Sequence, residues 1–149
     1  MALNGIFDDY PNVRFAFMEA GAAWLPFILE RLDGSYRGFT PIDPAGELIK
    51  LKAGESIRDR LIAHLQSDRI FIGVEGDEPE LTHCVTSFGS SAFVFSSDFP
   101  HEVNLDICRH EIEEICENAE LSDDDKDAIL FRNALRLYGL GAPVASVPA

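Results

Sequence analysis

Nothing in these 149 residues approaches the roughly 20 consecutive apolar positions that a membrane-spanning helix needs. Basic residues are scarce as well: 12 Lys and Arg stand against 26 Asp and Glu, a formal net charge of −14. Nucleic acid and anionic membrane surfaces both require a positive footprint, so neither is an expected partner. Cysteine is limited to Cys84, Cys108 and Cys116, an odd set without CxxC spacing. That excludes a disulfide framework and leaves the reduced thiols of a cytoplasmic protein as the plain reading. Met1-Ala2-Leu3-Asn4-Gly5 shows no basic segment followed by an apolar one, so no signal peptide is expected. Repeats and low-complexity segments are absent. The rest is ordinary for a globular chain, 46% hydrophobic and 26% charged, on a length that supports one domain with a real core.

Hydrophobic periodicity orders the elements. The first residues read as the end of a helix, broken at Tyr10-Pro11-Asn12 because Pro11 disfavours helix at Tyr10. Val13 to Met18 is a short, mostly apolar run that predicts a buried strand, and Glu19-Ala20-Gly21 follows at its C-terminal end. Apolar residues from Ala22 to Leu32 form one helical face. Gly34 to Gly54, with Pro41 and Pro44, reads as a long connection, and Ile57 to Leu65 as helix. A second strand is predicted at Arg69 to Val74, then a helix opened by Pro79 and ended by Gly89, then a third strand at Ala92 to Phe95. Helical spacing returns at Leu105, Cys108, Ile112 and Ile115. Ser122-Asp123-Asp124-Asp125 starts a last helix that Gly139 closes.

Strands alternating with helices predict α/β with parallel strands. Two architectures fit: an open sheet complete in this chain, which the length favours, or a piece of a (β/α)8 barrel, which takes about 250 residues. The residues at the strand ends favour the barrel. Asp98, within Ser96-Ser97-Asp98-Phe99-Pro100-His101 just past the third strand, is the expected centre of an active site.

Four segments carry a family resemblance: Gly5 to Phe15, Glu19 to Phe27, Ile70 to Glu78, and Phe95 to His101, with Asn133 to Leu140 as a fifth match at the end. In this order and spacing they resemble the C-terminal portion of the metal-dependent amidohydrolase superfamily. The branch is the one that includes relatives of aminocarboxymuconate-semialdehyde decarboxylase. The resemblance implies that residues 1–149 are one amidohydrolase-related domain, about the sixth to eighth β/α units of an incomplete TIM barrel. It implies a divalent metal, zinc being the expected ion, at the C-terminal ends of the strands. Asp98 is then the carboxylate that closes the metal site and helps activate water there. A small organic molecule is the implied substrate, and hydrolysis and non-oxidative decarboxylation both remain open.

The chain also departs from that pattern. No His-x-His pair occurs in it, and Glu19 stands where the decarboxylases have a histidine. Glu19 is therefore expected as a metal ligand or base. His101 and Trp24 are candidate substrate contacts, the alternatives being a loop support for His101 and core packing for Trp24. Glu75 is either functional or a solvated loop carboxylate. His64, His83 and His110 lack a ligand partner at metal spacing and read as surface or packing residues. Two functional readings follow: the C-terminal part of an enzyme whose remaining ligands lie upstream, or a non-catalytic remnant that pairs with another copy or with a missing N-terminal half. A complete small α/β binding domain is a third.

Overall fold

The computed structural model describes residues 2–39, 41–101 and 103–140. Three short strands, β1 (Phe15–Phe17), β2 (Ile70–Val74) and β3 (Phe93–Phe95), form one parallel sheet in the order β1-β2-β3. The register sets Phe15 beside Ile70, and Ile72 and Val74 beside Phe93 and Phe95. Each crossover carries helix, as parallel neighbours require: α2 (Trp24–Phe39) and α3 (Ile57–Gln66) between β1 and β2, α4 (Leu81–Phe88) between β2 and β3. Ahead of β1 lies α1 (Ile6–Asp9). After β3 come α5 (Leu105–Glu117), α6 (Asp123–Asp127), a π-helical stretch (Ala128–Arg132) and α7 (Asn133–Tyr138).

Strand alternation divides the sheet into two faces. Ile70, Ile72, Val74 and Phe93 join Leu25, Leu29, Leu65, Leu81, Val85, Phe88 and Ile115 in a single core, so the helices pack on that face. Phe71 and Val94 point the opposite way and stay outside this core, although both are buried. The burial of Phe71 and Val94 means that this second face is covered as well.

The strands are as expected in order and direction but shorter at their ends. The largest departure is α2, which runs through Phe39 where a connection is expected from Gly34. Its apolar stripe spans Gly34: Leu32 before it and Tyr36 and Phe39 after it line a cavity with Leu48, Ile49 and Ile57, and Arg37 pairs with Asp33 at 3.0 Å. Burial of that stripe outweighs the roughly 1 kcal/mol that each glycine costs a helix. Pro26 is tolerated because it sits in the first turn, where no intrahelical bond is lost. Pro79 falls in the turn before α4. The last helix starts at Ser122, with the expected capping box, but a π stretch interrupts it. There Asn133, fully buried, donates to the carbonyls of Ser90 and Phe93 at 2.7 and 2.6 Å and ties the helix to β3. Arg69 holds the N-terminal segment in place, donating to the carbonyls of Phe7 and Tyr10 and lying over the Phe7 ring.

No described helix is long and apolar enough to cross a membrane. All three cysteines are free. Burial pushes the Cys84 thiol up to about 11, with smaller contributions from Glu80 and Glu78, so this cysteine is an inert core residue.

Gly34 gives a direct test of the extended α2. A Cβ added there meets nothing within 4 Å. Gly34→Ala should raise stability by about 0.5–1 kcal/mol in urea denaturation. A loss of stability would mean that this stretch is not helical.

Candidate active site

Parallel strands deliver their C-terminal ends to one edge of the sheet, and the segments leaving β1 and β3 carry the acidic candidates. Beyond β3 the ladder runs one step further, with the Ser96 N–H donating to the Val74 carbonyl at 2.8 Å. The chain then turns. Asp98 adopts φ 51 and Glu19, in the turn after β1, adopts φ 56. These left-handed conformations are uncommon outside glycine, and such strain collects at functional sites.

The two turns converge. Glu19, Asp98 and His101 each offer a ligand atom, and these atoms all lie within 4.8 Å of one another. His101 Nδ1 lies 3.1 Å from Asp98 Oδ1. With Nδ1–H donating to that carboxylate, Nε2 is the nitrogen left free for a ligand. Two carboxylates and an imidazole suit a divalent cation, and among the described residues this is the one such group of three or more. Its open side is toward solvent: the His101 side chain is 68% exposed and that of Asp98 29%.

Behind the cluster stands a second tier of acid groups. Burial raises the Glu75 carboxyl above its ordinary value, and Asp77, Glu78 and Asp98 push the same way. Glu111 on α5 is also raised, first by burial and then by Glu75, Asp77, Glu114 and Asp98. It is only 7% exposed, and its Oε2 has no hydrogen-bond partner among the described residues. A carboxyl raised by folding holds its proton at pH values where the unfolded chain has released it. Its favourable contribution is therefore complete at low pH and is lost as pH rises through the folded value. Glu111→Gln should accordingly be more stable than the parent at pH 7, with the gain shrinking at pH 4. Denaturant midpoints at the two pH values measure it, and a pH-independent difference would contradict the assignment.

Of the four site residues expected from sequence, the structure brings together Glu19, Asp98 and His101. Trp24 stands elsewhere. Its ring lies 5.4 Å from that of Phe17, and it lines an apolar cavity of about 150 Å³ with Phe7, Phe15, Leu25 and Ile28, without any of the three cluster residues. His110 is exposed on α5 beside Glu114, and His64 is a buried packing residue against Phe7.

Sequence reasoning missed Glu78, whose carboxylate accepts from two main-chain N–H groups, and Gly76, against which the α5 backbone packs. Glu78 sits among Glu75, Asp77 and Glu80, and no local signal separates it from them.

Known proteins resemble this chain in sequence profile and in fold. The sequence profile of the amidohydrolase family matches residues 1–140. Among solved structures, an amidohydrolase from Mycobacterium avium subsp. paratuberculosis K-10 superposes with a TM-score of 0.62 at 20% identity, over 92% of this chain and 31% of the other. The 5-carboxyvanillate decarboxylase from Novosphingobium aromaticivorans DSM 12444 superposes with a TM-score of 0.65 at 22% identity, over 92% and 36%. It was solved with manganese and 4-hydroxy-3-methoxy-5-nitrobenzoic acid. A dihydroxybenzoic acid decarboxylase from Polaromonas sp. JS666, with manganese and 2-nitroresorcinol, gives 0.55 at 21%, over 93% and 37%. The chain thus spans about a third of the length of the structures it matches.

Proposed function

The chain belongs to the amidohydrolase family, and on that premise we propose that it forms the C-terminal portion of a metal-dependent (β/α)8-barrel enzyme. Its three strands are the sixth to eighth of that barrel, within one domain of residues 1–149. The reaction is hydrolysis or non-oxidative decarboxylation of a small organic substrate. The observation that carries the reading is the convergence of Glu19, Asp98 and His101, from two separate strand ends, on donor atoms within 4.8 Å of one another.

Glu19, Asp98 and His101 would hold a divalent cation, which supplies positive charge for a substrate oxygen and makes water more acidic. The donor set is rich in oxygen and accommodates Mn2+ as readily as the Zn2+ expected from the family resemblance. Asp98 presents one oxygen to His101 and keeps the other for the cation or for a proton. His101, oriented by that bond, directs Nε2 outward to ligand or substrate. Glu19 makes no hydrogen bond among the described residues that would use up its carboxylate, which leaves its oxygens for the cation or for a proton. By the family resemblance, a carboxylate here stands where the decarboxylases have a histidine.

A second reading, association without catalysis, has its own support. Among the described residues no strand pairs with the outer edge of β1, and Phe17 and Met18 at its end are 38% and 42% exposed. Such an edge takes up another copy of the chain or the remaining barrel strands. Light scattering combined with Mn2+ and Zn2+ titration tests both readings. Cation binding by the chain, with turnover of aromatic carboxylates only when further strands close the sheet, is the expected result. A self-associating chain that binds no cation would remove the enzymatic reading and leave the second.

A further inference from the structure

Glu19 makes no side-chain hydrogen bond among the described residues, yet it sits in a left-handed turn that aims it at Asp98 and His101. What holds the turn lies in the loop after β2. Glu78 Oε2 accepts from the Ala22 N–H at 2.6 Å, and Oε1 accepts from the Glu75 N–H at 2.9 Å. One carboxylate thereby ties the turn after β1 to the end of β2. Ala22 is held at its next peptide group too, because the Cys84 thiol donates to the Ala22 carbonyl at 3.4 Å. Ala22 is fully buried, so water cannot replace the lost acceptor if Glu78 is removed. Gly21 makes room for the clamp. It adopts φ +61, and a Cβ there would stand 2.9 Å from Glu78 Oε2 and 3.1 Å from its Cδ.

We propose that Glu78 is a positioning residue for the cation site, a two-pronged carboxylate clamp that fixes the turn carrying Glu19. This rests on the reading of Glu19, Asp98 and His101 as cation ligands. Without the clamp, the turn is free to relax toward ordinary backbone conformations and to carry the Glu19 carboxylate away from the other two donors.

A double-mutant cycle on the full chain tests this, with Mn2+ affinity read by electron paramagnetic resonance and folding by thermal melts without cation. Glu78→Gln should weaken Mn2+ binding by about 10–100-fold, the usual loss when a ligand's support is removed. In a Glu19→Gln background the same substitution should change affinity by less than about threefold, because the residue it positions no longer binds. A purely structural Glu78 would lower affinity equally in both backgrounds, or not at all, and either result overturns the proposal. If Glu78→Gln does not fold, amide exchange of the unaltered chain decides. Mn2+ should slow exchange at Ala22, since coupling between two sites is reciprocal, and an unchanged rate would overturn the clamp. Asp98→Asn separates the two levels. If the parent and Asp98→Asn bind Mn2+ alike, the cation site itself is wrong and the clamp falls with it. If they differ while Glu78→Gln matches the parent, only the clamp fails.

Discussion

Gly76→Ala should destabilise the fold by about 3 kcal/mol or more, the upper range for forcing atoms into a packed interior. The Cβ it adds would stand 2.0 Å from the Glu111 carbonyl oxygen, 2.5 Å from its carbon and 2.6 Å from its Cα, against 3.4–4 Å for ordinary contact. Those atoms belong to the backbone of α5, which has no rotamer to escape into. The helix must move by more than an ångström from the end of β2, and Glu111 and the acid groups around it move with it. Denaturant unfolding of Gly76→Ala beside Gly34→Ala measures the contrast between a glycine pressed on backbone and one facing open space. Equal and small effects would show that α5 does not pack on the loop after β2.

Asp98→Asn should lower Mn2+ affinity by more than about 100-fold, beyond the 10–100-fold loss from removing a ligand's support. The same substitution should leave stability nearly unchanged. Asparagine is among the few residues that accept a left-handed backbone, so φ 51 remains available to it. It also removes a charge that raises Glu75 and Glu111. Loss of binding without loss of stability separates a ligand from a turn residue. A calorimetric titration with a melt of the same sample gives both quantities. A variant that binds Mn2+ like the parent would return Asp98 to the role of an ordinary turn residue.

Much of this was legible in the sequence because local patterns and global packing agree. Ile70 to Val74 is a continuous apolar run bounded by turn residues, and it is the central strand, buried at every position. Ser122 with Asp125 three residues on is a capping box in both sequence and structure. Asp98 and His101 were readable because they lie three apart in one segment, so their pairing is local. Glu19 was legible only from its place after a predicted strand and from the family resemblance. Its approach to Asp98 spans 79 positions of sequence and depends on strand order.

The misses are long-range or energetic. Two glycines within α2 suggest a connection, but packing of Tyr36 and Phe39 against Leu48, Ile49 and Ile57 overrides that preference. The Glu78 clamp joins residues 56 apart and leaves no periodicity to read. Trp24 at the head of an apolar helical face is compatible with either a substrate pocket or a packing role, and only its contact with Phe17 and the cavity around it distinguishes them.

The proposed site stands most directly on a count of bound ions. Equilibrium titration of the chain with Mn2+ should saturate at about one ion per chain, the expectation for a single group of two carboxylates and one imidazole. That ion should be lost in the double variant Glu19→Gln, Asp98→Asn. Binding that never saturates in the parent, or one ion still held by the double variant, would contradict the assignment of Glu19, Asp98 and His101 as a metal site.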